Sequence, residues 1–114
     1  MTLHITRLYP VCQLHIDHID IFKASHHGAK SANSQTILNS LSPEMIILSA
    51  DGISYDIPQQ ESLDRMYSVT NNIYATFITG TIKITSNGST YNVECNNKQL
   101  LQDSEWFLEN RVLN

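Results

Sequence analysis

Four consecutive apolar residues, Met45-Ile46-Ile47-Leu48, follow a Ser-Pro break and run into Ser49-Ala50-Asp51-Gly52. A half-exposed strand alternates apolar with polar residues, so a strand that is apolar at every position has to be buried on both faces, as in the interior of a parallel sheet. Parallel neighbours cannot be joined by a tight turn, and a crossover must precede this run. The chain supplies one. IDIFKA over 19–24 is a second short apolar run, opening into Ser25-His26-His27-Gly28. Between the two, NSQTILNSL over 33–41 offers Asn33 or Ser34 as a cap, Ile37, Leu38 and Leu41 at helical spacing, and Ser42-Pro43 as a stop. Strand, helix and strand make a βαβ unit.

The remaining pattern extends this unit in both directions. Leu3, Ile5, Leu14 and Ile16 alternate with polar residues and suggest one or two strands interrupted near Pro10. After a loop containing Tyr55 and Pro58, QQESLDRMYSV places Leu63, Met66 and Tyr67 on one helical stripe, with Glu61 and Arg65 at pairing distance on the other side. IYATFI from Ile73 is β-branched and aromatic and reads as an edge strand. Ile82 and Ile84, then Tyr91, Val93 and Cys95, alternate on either side of Asn87-Gly88, the strongest short hairpin signal. That signal outweighs the glycosylation sequon Asn87-Gly88-Ser89. The tail, 97–113, carries Leu101, Leu108 and Val112 near one face with Trp106 and Phe107 beside it, a closing helix or a docking helix for another chain. The expected fold is α/β over one domain, 1–114: a βαβ unit, a helix, an antiparallel edge hairpin and a carboxyl-terminal helix.

Composition limits the possible partners. A net charge of -4 with seven Lys and Arg in 114 residues gives no footprint for a nucleic-acid backbone, so no direct nucleic-acid binding is expected. No stretch reaches the roughly 20 apolar residues of a membrane span, and MTLHITRLYP lacks the order of a signal peptide. Cys12 and Cys95 have no metal-finger or redox spacing and read as reduced, mostly buried thiols. A soluble, cytoplasmic chain is expected.

His26 and His27 follow the carboxyl end of a strand expected to be parallel, where open α/β sheets place their ligand crevices. Imidazole is a common zinc ligand, but a catalytic site needs at least three protein ligands, and consecutive side chains diverge. Asp51, at the end of the next strand, can join either histidine at that crevice, or serve only as a turn residue before Gly52. Gln13-Leu14-His15-Ile16-Asp17-His18 imitates an HxHxDH metal cluster, but it precedes the strand and falls at the opposite end of the sheet.

The order from Ile19 to about Val93 resembles the carboxyl-terminal part of metallo-β-lactamase-fold hydrolases, in the ComEC-like branch. The residues that carry the resemblance are the strand running into His26-His27-Gly28, then Lys30 and Ser31, a helix ending in Ser42-Pro43, an apolar strand ending in Ser49, Tyr55-Asp56-Ile57-Pro58, a helix, and Gly80-Thr81-Ile82-Lys83-Ile84. The resemblance implies half of an αββα sandwich. It makes His26 or His27 a ligand of zinc or another divalent metal, with Asp51 as a further candidate, and Lys30, Ser31 and Tyr55 candidate substrate contacts. Two departures weigh against independent catalysis. The family's earlier metal motifs lie far upstream of HHG, where this chain has 25 residues, and Ile57 stands where the family's Tyr-x-His-Pro loop has histidine.

Two functions are therefore expected. In the first, a truncated, non-catalytic module of this fold acts in protein assembly, with metal absent or weakly held and a partner, a second copy or the chain's own tail helix with Trp106 and Phe107 covering a sheet face that half a sandwich leaves bare. In the second, a split metallohydrolase subunit completes with its HHG histidine a site supplied by a partner, with a phosphoester or acyl substrate.

Overall fold

The structure, a computed structural model, describes residues 19–113. The expectations for the strands around Leu3 to Ile16, for Cys12 and for the Gln13–His18 cluster lie outside the described residues.

The βαβ unit is present: β1 (Ile21–Lys23), α1 (Gln35–Leu41) and β2 (Met45–Leu48), with Ile21 opposite Met45 and Lys23 opposite Ile47 in parallel register. Ser34 caps α1, its hydroxyl accepting the Ile37 N–H at 3.3 Å. The helix ends at Ser42, which turns left-handed and returns its N–H to the Leu38 carbonyl at 2.9 Å before Pro43. Leu38 and Leu41 are buried, whereas Ile37 is exposed on the solvent side. β2 is buried at all four positions because it is central, with β3 (Ile73–Ala75) parallel on its far side.

Alternation along the strands divides their side chains between two faces. On one face Phe22, Ile46, Leu48 and Ile73 pack against Leu38 and Leu41 of α1 and against Leu63 and Met66 of α2 (Gln60–Tyr67). On the other, Ile21, Met45, Ile47 and Tyr74 pack against Ile84, with Ile82, Val93 and Leu100 beside it. Ile84 belongs to a hairpin of β4 (Lys83–Ser86) and β5 (Tyr91–Glu94) that turns at Asn87-Gly88. The protein is thus a compact mixed α/β domain in which helices, a parallel sheet and an antiparallel hairpin are layered.

This arrangement corrects five expectations. The hairpin is a separate two-stranded sheet, not an edge of the parallel one. A two-stranded ribbon needs a surface on which to bury its apolar side, and the face opposite the helices is that surface. That face is consequently not bare: Ile21 is 4 % and Met45 6 % exposed in the single chain. IYATFI is not one strand, for β3 stops at Ala75 and α3 (Thr76–Thr79) makes a single helical turn. Arg65 is directed away from Glu61, donating to the carbonyls of Lys30, Ala32 and Asn33 at 2.6–3.0 Å.

The fifth correction concerns the tail. Instead of one helix over 97–113 there is a 3-10 turn at Leu101–Asp103 and then α4 (Glu105–Asn110), started afresh by Ser104, whose hydroxyl accepts the Phe107 N–H. The restart shifts the helical register. Leu101 and Phe107 enter the helix-side core, while Leu108 and Val112 are exposed. Among the described residues Cys95 is a half-buried free thiol, and no helix is long and apolar enough to cross a membrane.

Candidate functional site

A cleft of about 370 Å³ lies at the carboxyl ends of the parallel strands, lined by His27, Ser49, Asp51, Tyr55, Ile57 and Thr76 among others. Two loops build it. The first is Ser25–Gly28, where His26 (φ 50°), His27 (φ 55°) and Gly28 (φ 88°) are all left-handed. The second runs through Ser54–Asp56, where Tyr55 and Asp56 are left-handed too, each at φ 57°. Four of the six described non-glycine residues with positive φ therefore flank this cleft. Left-handed backbone costs about 1–2 kcal/mol per ordinary residue and persists only where the surroundings impose it.

The surroundings here are specific contacts between loops. Gly28 sits so close to the Tyr55–Pro58 loop that a Cβ on it would meet Pro58 Cβ at 2.7 Å. The Gly28 carbonyl accepts the Gln59 N–H at 2.9 Å, and the Gln59 side chain accepts the Lys30 N–H at 2.8 Å. Behind the first loop, buried Asn33 accepts the Ser25 N–H at 2.7 Å through Oδ1 and donates to the Ser25 carbonyl at 3.0 Å through Nδ2. The tail braces the second loop: Trp106 Nε1 donates to the Gly52 carbonyl at 2.8 Å, and Arg111 stacks on Trp106 while donating to the Pro58 and Asp56 carbonyls.

Of the residues singled out from sequence, His27, Asp51 and Tyr55 come together at this cleft. His26, Lys30 and Ser31 are exposed and do not line it. The two histidines diverge as adjacent side chains must, their ring centres 6.4 Å apart. His27 Nδ1 donates to the Ser49 carbonyl. A carbonyl can only accept, so Nδ1 carries the proton, and in the neutral ring Nε2 is left with a lone pair. An imidazole anchored to a backbone carbonyl at one nitrogen is the arrangement that orients a metal-binding or proton-accepting histidine.

Asp51 is differently placed. Its Oδ2 accepts the Ser54 hydroxyl at 2.6 Å, and its Oδ1 accepts the N–H groups of Ile53 and Ser54, both at 2.8 Å. The Ser54 hydroxyl first, and then the two backbone N–H groups, hold its pKa down to about 2. These donors occupy three of about four acceptor positions on the carboxylate, so Asp51 builds its own turn before it can serve a ligand. Because the folded pKa lies below the ordinary value of 3.8, the charged turn is fully favoured above pH 4 and is lost as pH falls through about 2. A carbon-detected NMR titration of the Asp51 carboxyl should give a midpoint near 2, and in Ser54→Ala that midpoint should rise towards 3.8; an unchanged midpoint would mean that the hydroxyl is not its main cause.

Among the described residues no group of three or more His, Cys, Asp and Glu is placed to hold one ion. The donors at the cleft, one free imidazole nitrogen and one largely committed carboxylate, fall short of the three protein ligands that a catalytic metal needs. They do not fit a resident metal by themselves.

Three contributors carried no obvious sequence signal. Thr76, which exchanges hydrogen bonds with Ala50 across the cleft floor, was hidden in an apparent strand. Asn33 looked like a cap, and the role of the Ser49 carbonyl is a backbone property that no side chain announces. Comparison of the chain with protein-family models, curated proteins and solved structures returns no match. The fold and cleft therefore define the protein by class alone, as a mixed α/β domain with a loop-built cleft at the carboxyl ends of its parallel strands.

Proposed function

We propose that this chain is an assembly module built like the carboxyl-terminal part of a ComEC-like metallo-β-lactamase-fold hydrolase, without hydrolytic activity of its own. One observation carries the assembly role. Of the seven large apolar side chains exposed among the described residues, five (Ile53, Tyr55, Leu108, Val112 and Leu113) sit on the cleft-side loop and on the tail clamped to it. An apolar surface concentrated on one such clasp is what a protein interface requires. The sheet face needs no partner, and this clasp takes its place as the contact surface. The family relation draws support from the helix, sheet and hairpin layering and from the closure of the HHG loop on the Tyr-x-x-Pro loop at Gly28 and Pro58.

The anchored imidazole of His27 favours a second reading, in which Nε2 becomes one ligand of a metal site supplied mainly by another chain. Untagged protein passed through size exclusion with light scattering, with zinc and manganese measured in the same peak, separates the two. Assembly without catalysis predicts a mass above that of one chain, reduced to one chain by Ile53→Asp with Tyr55→Asp, and metal well below one per chain. Stoichiometric metal lost in His27→Ala, with phosphodiesterase or esterase turnover lost alongside it, would overturn the first reading in favour of the second.

A further inference from the structure

The second cleft lies on the hairpin side of the sheet and is the larger of the two, about 560 Å³. Its walls are Ile47 from β2, Ile84 from β4 and Ile82 just before that strand, and Thr81 stands at its margin. Lys23, the one exposed residue of β1, reaches it because it lies opposite Ile47 in the register and alternation turns both to the hairpin face. Its ammonium has no hydrogen-bond or ion-pair partner among the described residues. Among the described residues no carboxylate lines this cleft, whereas Asp51 lines the first. Ser49 and Thr76 line both and form the wall between them.

A volume of this size suits a small molecule, and an apolar wall with one charge at its edge selects both its body and its head. In a chain of net charge -4, the described residues of this cleft present a single positive group and no negative one. We propose that it binds a small amphipathic anion, a carboxylate or phosphate ester with a short aliphatic body. The head pairs with Lys23 on the side of the cleft where the Ser49 hydroxyl stands, the Thr76 hydroxyl being held by Ala50, and the body lies on Ile47, Ile82 and Ile84. The site is separate from the contact surface at the tail and does not depend on assembly.

Octanoate, hexyl phosphate and octyltrimethylammonium are titrated separately into the full chain and followed by amide NMR. Saturable shifts centred on Lys23, Ile47 and residues 80–84 are expected for one or both anions. Octanoate alone would mark a carboxylate ligand, and hexyl phosphate alone a phosphate ester. Lys23→Met, at an exposed position, should weaken binding about tenfold, the loss of one charge-assisted hydrogen bond. Thr81→Glu, which sets a carboxylate at the exposed margin, should weaken it at least as much. Absence of saturable binding by either anion, equal binding of octyltrimethylammonium, or indifference to both substitutions would overturn the proposal.

Discussion

Gly28→Ala is expected to lower the unfolding free energy by about 3 kcal/mol, from a left-handed backbone that alanine resists and from overpacking against a rigid neighbour. Gly28 has φ 88°, and an added Cβ would meet Pro58 Cβ at 2.7 Å, Leu48 Cδ2 at 2.9 Å and Pro58 Cα at 3.2 Å. A flexible side chain could move aside, but a proline ring held by its own backbone cannot. Gly88 provides the control. Its φ is 94°, with nothing within 4 Å of an added Cβ, so Gly88→Ala incurs the backbone cost of about 1–2 kcal/mol and no clash. In thermal unfolding the difference between the two variants should be about 4 °C or more. Equal losses would show that the HHG and Tyr-x-x-Pro loops are not closed on each other at this point, and the proposed kinship with the hydrolase fold would lose its best local support.

Much of the framework was legible because its signals are local. Met45–Leu48 announced a strand buried on both faces, Ser34 and Ser42-Pro43 bounded a helix, Leu63 and Met66 marked the buried stripe of another, and Asn87-Gly88 turned the hairpin. What failed was decided at a distance. Thr76 and Phe77 have the composition of a strand, but Thr76 is recruited to Ala50 and Phe77 packs on Trp106, so tertiary contacts override β propensity. Nor does alternation in Ile82 and Ile84 specify which surface the hairpin covers. The tail was misread because one period was carried through Ser104, whose hydroxyl starts a new helix; this cap signal was present in the sequence. The site divides in the same way. That His27 and Asp51 meet follows from the topology of a parallel sheet. The choice of His27 over His26 depends on two left-handed residues that nothing in the side chains fixes. Asp51's engagement by Ser54, three residues later, is an Asx-turn pattern that could have been read.

The loop that makes that choice is held from behind by Asn33, and Asn33→Ala is expected to cost about 2–4 kcal/mol by stripping hydrogen bonds from buried groups. Asn33 is 7 % exposed. Its side chain satisfies both the N–H and the carbonyl of Ser25 and reaches the Ser62 hydroxyl at 3.3 Å, and Ser62 has no solvent exposure at all. The backbone adds to this, for Asn33 is left-handed at φ 62°, a conformation that asparagine tolerates and alanine does not. Asn33→Gly separates the two causes, since glycine accepts the backbone and restores none of the bonds. If the side chain is the main latch, Asn33→Gly recovers only a minor part of the loss. In both variants the Ser25 amide should then exchange its hydrogen at least tenfold faster relative to amides of β2, and the His27 to Ser49 contact should loosen with it. Full recovery in Asn33→Gly, with Ser25 exchange unchanged, would place the loop's hold in the Gly28 and Pro58 contact instead. The orientation of His27 would then depend on the second loop and on the tail that braces it, so that a partner gripping the tail could alter the imidazole across the cleft.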